Sequence, residues 1–421
     1  MIYFSKLRPK IIIIALILLS AGIGYRLGED NVGASVVAKV VNKPSPKTID
    51  VDFAIFWDVW NRLHRYYIDA DEIDKQKMVF GAVSGMVNSI GDPYTIFLTP
   101  KENKDFKDDL GGAFEGIGAQ LGMKDNRIII VAPLKGSPAE ASGIQAGDWI
   151  IKVDDEETHN WTITEAVTNI RGPKGTKVVL NVLHLDSPEP IDVEIIRDTI
   201  NIPSVELWFK KPQDIEEISA LEQTKFLKND KTIAYLSLSR FGDRLQEEWS
   251  EAVKQISRRA EVGTIAGLVF DLRNNPGGYL DGSVYIASEF LNDGVVVSQE
   301  NSDGSKQDYM VNREGNLLDV PIVVLINKGS ASAAEIVAGA LKDFQRASII
   351  GETSFGKGSV QTPQDLTKGA SIHITTGKWL TPKGESISKK GITPDFEVEM
   401  KNYEASGDAQ LEKAIEVLLG Y

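Results

Sequence analysis

The 421-residue chain contains no cysteine. That absence removes disulfide frameworks, thiolate zinc sites, iron–sulfur clusters and a cysteine nucleophile together, and it leaves the redox compartment unspecified. Histidine is scarce too, with four in the whole chain, so the usual base for a serine nucleophile is in short supply. Positive charge is also lacking. Forty-six Lys and Arg stand against 60 Asp and Glu, a net charge of -14, which argues against a nucleic-acid partner held through its phosphates. Hydrophobic residues at 42% and charged residues at 25% exclude wholesale disorder and a polytopic membrane protein. The length implies two to four compact units.

The exception to this water-soluble composition is at the start. Lys6, Arg8 and Lys10 precede an apolar run from Ile11 to Tyr25. As a helix the run would span roughly 22 Å, against a hydrocarbon layer of ~30 Å. The small residues best suited to signal cleavage lie around Gly33 to Ala38, beyond Arg26, Glu29 and Asp30. The expectation is a cytoplasmic basic tip and transmembrane anchor or signal over residues 1–28. A single-pass anchor would hold the remainder outside the inner membrane, or the chain would be secreted or periplasmic if the signal is cleaved. Residues 29–48, with Pro44 and Pro46, read as a linker.

Residues 49–111 read as a helical N-terminal region, because Phe53, Phe56, Trp57, Trp60, Leu63 and Tyr67 recur at helical steps. His64 beside this stripe reads as a packed helix residue. Residues 112–200 form a separate small domain, with strands at Ile128–Val131, Trp149–Val153 and Val178–Leu183 and a helix at Thr164–Ile170. His159 and His184 fall inside it. In residues 201–400, a strand at Val205–Phe209 is followed by a charged surface excursion, Lys210–Lys231. Buried strands then alternate with helices: Ala266–Leu272 with a helix near Ser283–Leu291, Pro321–Ile326 with a helix at Ser332–Phe344, then Ser348–Gly351. That alternation predicts a mostly parallel sheet covered by helices. Residues 401–421 read as a C-terminal helix, Ala409–Leu419.

Four loops could carry chemistry. The loop Asn327–Glu335 joins a buried strand to a helix, where Ser332 would meet the unpaired N–H groups of the first turn; helix capping by Ser330 or Ser332 fits the same residues. No histidine stands convincingly beside it, although His373, alternating with Ser371 and Thr375 on a strand's polar face, stays open. A lysine is the other candidate base. Lys357, in the glycine-rich stretch Gly351–Gln361, would need burial to lower its pKa from the usual ~10.4. Gln361 could orient its amine without adding charge. The same stretch nearly matches the phosphate-binding pattern but has Gly358 where a Ser or Thr should hold magnesium. The loop Asp271–Gly278 offers paired glycines whose N–H groups could face a substrate oxygen, or a plain turn. In the small domain, Gly116-Ile117-Gly118-Ala119 could receive a peptide's terminal carboxylate while the peptide adds a strand.

Together, the Gly143–Ile150 phrase, the Asp271–Gly278 loop, Ser330-Ala331-Ser332-Ala333, Gly356-Lys357-Gly358 and the late Thr381–Gly384 with Gly391–Asp395 make the chain resemble the C-terminal processing peptidases, or tail-specific proteases. The likeness covers roughly residues 50 to 400. It implies a multidomain α/β and α+β protein with a crotonase/ClpP-like α/β serine protease core, an inserted PDZ domain and a helical N-terminal segment after the membrane segment. It also implies Ser332 as nucleophile, Lys357 as general base, Gln361 as the residue orienting it, and an oxyanion hole from the N–H groups of Gly278 and Ala333. Implied partners are protein or peptide substrates with apolar C-termini, together with a homo-oligomer or activating partner, and no cofactor or metal. Arg171, closing the small domain's helix, is a regulatory candidate through directional hydrogen bonds. One departure is Ala334, where family members often carry serine. Two other readings remain: an inactive PDZ adapter and a nucleotide-dependent enzyme.

Overall fold

The computed structural model describes residues 51–420 except 126, 135, 185–186, 227–229 and 400–406. The expected anchor and linker at residues 1–48 lie outside the described residues. Among the described residues no helix is long and apolar enough to cross a membrane. The chain divides into two compact units, one ending at Lys75 and one beginning at Gln76. In the first, the aromatic recurrence yields helix α1 (Ala54–Tyr66). The Trp60 ring stacks on Phe56 at 6.2 Å and on His64 at 5.2 Å, so His64 is a packed helix residue.

The second unit opens with α2 (Lys75–Asn88), β1 (Ile96–Leu98) and α3 (Pro100–Leu110). Thr99 caps α3, exchanging hydrogen bonds with Glu102, and Pro100 stands at its first turn, where no N–H is needed. The middle domain follows as β2 (Ala113–Gly116), β3 (Ala119–Lys124), β4 (Arg127–Pro133), α4 (Pro138–Ala141), β5 (Trp149–Val153), β6 (Glu156–Glu157), α5 (Ile163–Ile170), β7 (Lys177–Leu183), β8 (Ile191–Ile196) and β9 (Asp198–Asn201). Its sheet runs β3-β4-β5-β7-β8, leaving β3 on an edge. Alternate residues of β7, Val178, Leu180 and Val182, point into its core with Ile128, Ile130 and Ile195. The domain joins the rest of the unit through a two-stranded neck in which β2 pairs antiparallel with β9. The Ile202 N–H donates to the Gly112 carbonyl at 2.9 Å, so the chain enters and leaves side by side.

The larger domain continues with β10 (Val205–Lys210), α6 (Ala220–Lys225), β11 (Thr232–Leu238), α7 (Leu245–Glu261), β12 (Ile265–Asp271), α8 (Leu280–Ala287), β13 (Val295–Asn301), β14 (Lys306–Met310), β15 (Ile322–Ile326), α9 (Ala333–Asp343), β16 (Ser348–Gly351), β17 (Ser359–Asp365), β18 (Ser371–Leu380), β19 (Phe396–Glu397) and α10 (Ala409–Leu419). Its main sheet is ordered β10-β11-β12-β15-β16-β19, antiparallel only at β10–β11. Continuous apolar strands are what a sheet buried on both faces requires. Leu268, Phe270, Val324 and Ile349 meet α7, α8 and α9 on one face, while Val269, Val323, Leu325 and Ile350 meet α10 on the other. A second sheet, β1-β18-β13-β14 with β17 beside β18, is antiparallel.

Two expectations change, and the polar face expected on β18 proves to be covered. The segment Lys210–Lys231 is not a surface excursion: Ile215, Ile218 and Phe226 are buried and belong to the core beneath α10. Its many charges conceal a few apolar anchors spaced far apart. Helix α8 ends at Ala287, short of Leu291; past it, the Ser288 hydroxyl donates to the Val284 carbonyl at 2.7 Å. The polar face of β18 is not open to water. Ser371 bonds Asn103 of α3, His373 packs edge-on against Phe106 at 4.8 Å, and the Thr375 N–H donates to the Thr95 hydroxyl at 3.1 Å.

Candidate active site

Three loops converge where the parallel strands β12, β15 and β16 end. After β12 the chain turns through Asn274–Gly278. The Asn275 side chain ties this turn by donating to the Leu238 carbonyl and accepting the Gly277 N–H at 2.8 Å. The Asn275 carbonyl receives the Ala331 N–H from the loop after β15 at 2.9 Å. Gly277 has φ +98°, and a Cβ there would lie 2.7 Å from the Ser332 Cβ and 2.9 Å from the Ala333 nitrogen. Only glycine fits so close an approach. Gly278, at φ +141°, is pressed against Phe241, where a Cβ would come 2.2 Å from the carbonyl oxygen. The N–H groups of Gly278 and Ala333 donate to no other described group.

Ser332 stands at the N-cap of α9 with φ 54° and ψ −116°. A non-glycine residue held there carries strain of ~1–3 kcal/mol. The surrounding loop over-determines it. Ser330, fully buried, donates its hydroxyl to the Leu272 carbonyl at 2.8 Å and accepts the Asn327 N–H at 2.9 Å. Ser330 is therefore a loop brace, whereas Ser332 is partly exposed and forms a capping box with Glu335.

The base side comes from the loop between β16 and β17. Lys357 is partly buried, and that burial pushes its amine below the usual lysine pKa, against the opposing pull of Glu335. Its Nζ lies over the Tyr94 ring at 5.5 Å. Among the described residues the amine makes no hydrogen bond or ion pair, so it is not joined to Ser332 Oγ. Gln361, at the start of β17, donates from Nε2 to Ser359 Oγ at 2.7 Å and Thr375 Oγ1 at 3.4 Å. It too stands apart from the amine. His373 lies near enough for Lys357's charge to be felt; burial, then that charge, pushes its pKa down. Its ring packs on Phe106 and makes no described hydrogen bond with Ser332.

One residue in the site had no assigned role. Glu335 is 1% exposed. Its Oε2 accepts the N–H groups of both Ser332 and Lys357, each at 2.9 Å, and its Oε1 accepts Ser354 Oγ and the Gly356 N–H, each at 2.6 Å. Burial dominates and holds this carboxyl above its ordinary pKa, although the four bonds pull it down. Its sequence signal was the S-x-x-E spacing of a capping box. The amides that a phosphate loop would turn toward nucleotide are here occupied by the protein's own carboxylate, which removes the basis for the nucleotide reading.

In the middle domain, Gly116 and Ala119 end β2 and open β3, flanking buried Ile117 and Gly118. Gly118 has φ +75°, and a Cβ would meet Ser137 at 2.5 Å. The N–H groups of Ile117 and Gly118 donate to no described group, beside the edge strand β3 and helix α5. Arg171, at the C-cap of α5, lies over the Phe114 ring of the neck at 4.5 Å.

Comparison with known proteins fits this geometry. Residues 232–398 match the model of peptidase family S41, and residues 105–183 match the PDZ domain. The chain is 36% identical to the carboxy-terminal-processing protease of Bartonella bacilliformis, with 86% of this chain and 79% of that one covered. It is 35% identical to the carboxy-terminal processing protease CtpA of Bacillus subtilis, covering 87% and 73%. A solved S41 protein of Bacteroides fragilis shares the fold at a TM-score of 0.55 and 16% identity, covering 90% and 99%. The chain therefore belongs to the carboxy-terminal processing proteases, PDZ-containing serine endopeptidases of family S41.

Proposed function

We propose that Ser332 and Lys357 are the nucleophile and general base of this protease. The observation that carries the assignment is the shared seat of the two residues: their N–H groups meet on one buried carboxylate oxygen, Glu335 Oε2. In this reading the neutral Lys357 amine takes the Ser332 hydroxyl proton as Oγ attacks the scissile carbonyl carbon. The resulting oxyanion accepts the unengaged N–H groups of Gly278 and Ala333, donors fixed before the reaction begins. Collapse expels the amine product, protonated by the Lys357 ammonium, and leaves an acyl ester on Ser332 that water hydrolyses. The separation of Oγ and Nζ in the free enzyme closes as substrate binds, as catalytic hydrogen bonds commonly do. Gln361 turns from Ser359 and Thr375 to hold the amine in that state.

The middle domain captures apolar C-termini: the terminal carboxylate takes the Ile117 and Gly118 N–H groups while the peptide adds a strand to β3 between that edge and α5. Residues 1–28 hold the enzyme at the membrane with its catalytic part outside the cytoplasm. Arg171, stacked on the neck, passes PDZ occupancy toward the core. The test is incubation of residues 45–421 with a loosely folded protein ending in apolar residues, with products read by mass spectrometry. Cleavage is expected, and it should vanish in Ser332→Ala and Lys357→Ala; undiminished cleavage by Lys357→Ala would overturn the base assignment.

A further inference from the structure

Glu335 sits three residues into α9, fully enclosed, and accepts four hydrogen bonds from three directions. Two come from the backbone of the proposed nucleophile and base, and two come from the Ser354–Gly356 turn that leads to the base. An apolar residue would leave these donors unpaired. Simple capping would require only the helix's own first turn, whereas three of the four bonds reach a loop about 20 residues further along, at sequence separations of 19, 21 and 22. The two loops have another direct backbone tie, from the Phe355 N–H to the Ser330 carbonyl at 2.9 Å.

We propose that Glu335 is a positioning residue for catalysis, a single side chain that fixes the Ser332 and Lys357 backbones in register. The proposal rests on the Ser332/Lys357 reading above. A consequence for the pH profile follows from charge. The groups facing Lys357 are Glu335 from α9, His373 from β18 and the uncharged Tyr94 ring. Burial, then the charges of Lys357 and Lys107, push His373 away from its charged form against the pull of Asp365, and Glu335 is the acidic group that opposes desolvation of the amine. Removing it frees the lysine to lose its proton at lower pH.

The experiment compares parent, Glu335→Gln, Glu335→Asp and Lys357→Ala in the full-length chain, using a short chromogenic peptide that does not depend on C-terminal capture. Glu335→Gln keeps the volume but removes the charge and sets an NH2 against N–H donors. Its kcat is expected to fall about 100-fold with KM within about threefold, the scale of a small misplacement of reacting groups. The acid limb of kcat/KM against pH should move to lower pH. Glu335→Asp, which keeps the charge but shortens the reach, should lose kcat while its acid limb stays near the parent's. A purely structural role would lower the melting temperature without moving that limb.

Parent-like kcat and an unmoved limb in Glu335→Gln would overturn the proposal. If that variant does not fold, Glu335→Asp decides: reduced kcat with the parent's limb supports the proposal, and full kcat overturns it. The two readings fail separately. Activity surviving in Lys357→Ala sinks the base assignment, whereas a dead Lys357→Ala beside a silent Glu335→Gln sinks only the role of Glu335.

Discussion

Two glycine-bearing loops in this molecule present backbone N–H groups, and they differ in what those groups meet. At Gly356-Lys357 the amides are filled from within by Glu335. At Ile117-Gly118 no described group accepts them, and the proposed oxyanion pair, Gly278 and Ala333, is open in the same way. The contrast separates two uses of one backbone feature. In the function proposed above, a filled loop is a fixed mount whose chemistry lies in the side chain it carries, and an open loop is a receptor whose chemistry lies in the amides themselves.

If the filled loop is a mount, removing only its cargo should abolish catalysis and leave the fold intact. Lys357→Ala is expected to lose on the order of 10⁴-fold or more in kcat, with near-native circular dichroism. Emptying the mount should instead damage the protein: Glu335→Ala leaves four donors, two of them buried, without an acceptor and should cost about 3 kcal/mol by denaturant titration. The open loop should respond in binding. Gly118→Ala introduces a Cβ 2.5 Å from Ser137 at φ +75°. It should weaken capture of a peptide with an apolar C-terminus by about tenfold or more in fluorescence titration, while cleavage of a short chromogenic peptide persists.

The smallest expected effect concerns the buried amine and depends on pH. The folded-state pKa of Lys357 is depressed, so between that value and the ordinary lysine pKa the unfolded chain binds the additional proton, and stability rises with pH. Lys357→Met should therefore raise the melting temperature near neutral pH, and the gain should shrink as pH climbs through the window. A constant gain across that window would show that the amine is not desolvated in the fold.

Much of this architecture was legible because its signals are local. The apolar runs of β12, β15 and β16, each followed by a turn and then by a helix or glycine loop, declare a parallel sheet with loops at its carboxyl ends. Ser332 and Lys357 stand in those loops with glycine neighbours. What escaped depends on partners distant in sequence. Ile215, Ile218 and Phe226 look like scattered apolar residues in a charged stretch until α10, almost 200 positions later, provides their wall. The β18 face carrying His373 reads as polar because its cover, α3, comes from the far end of the unit. Glu335 was in plain view at capping distance from Ser332, but its bonds to Ser354, Gly356 and Lys357 need a fold to be seen. Tyr94 over the lysine is likewise invisible to periodicity.

The neck of the middle domain has a separate meaning for the history of such a chain. Because Gly112 and Ile202 meet through one hydrogen bond, the host domain has to close only a short gap, whatever length of polypeptide lies beyond. Loop-closure entropy grows slowly with length, so a whole folded module can be spliced in there as cheaply as a long surface loop. The junction makes recognition an exchangeable cassette, open to replacement by recombination or by design without redrawing the sheet that does the cutting.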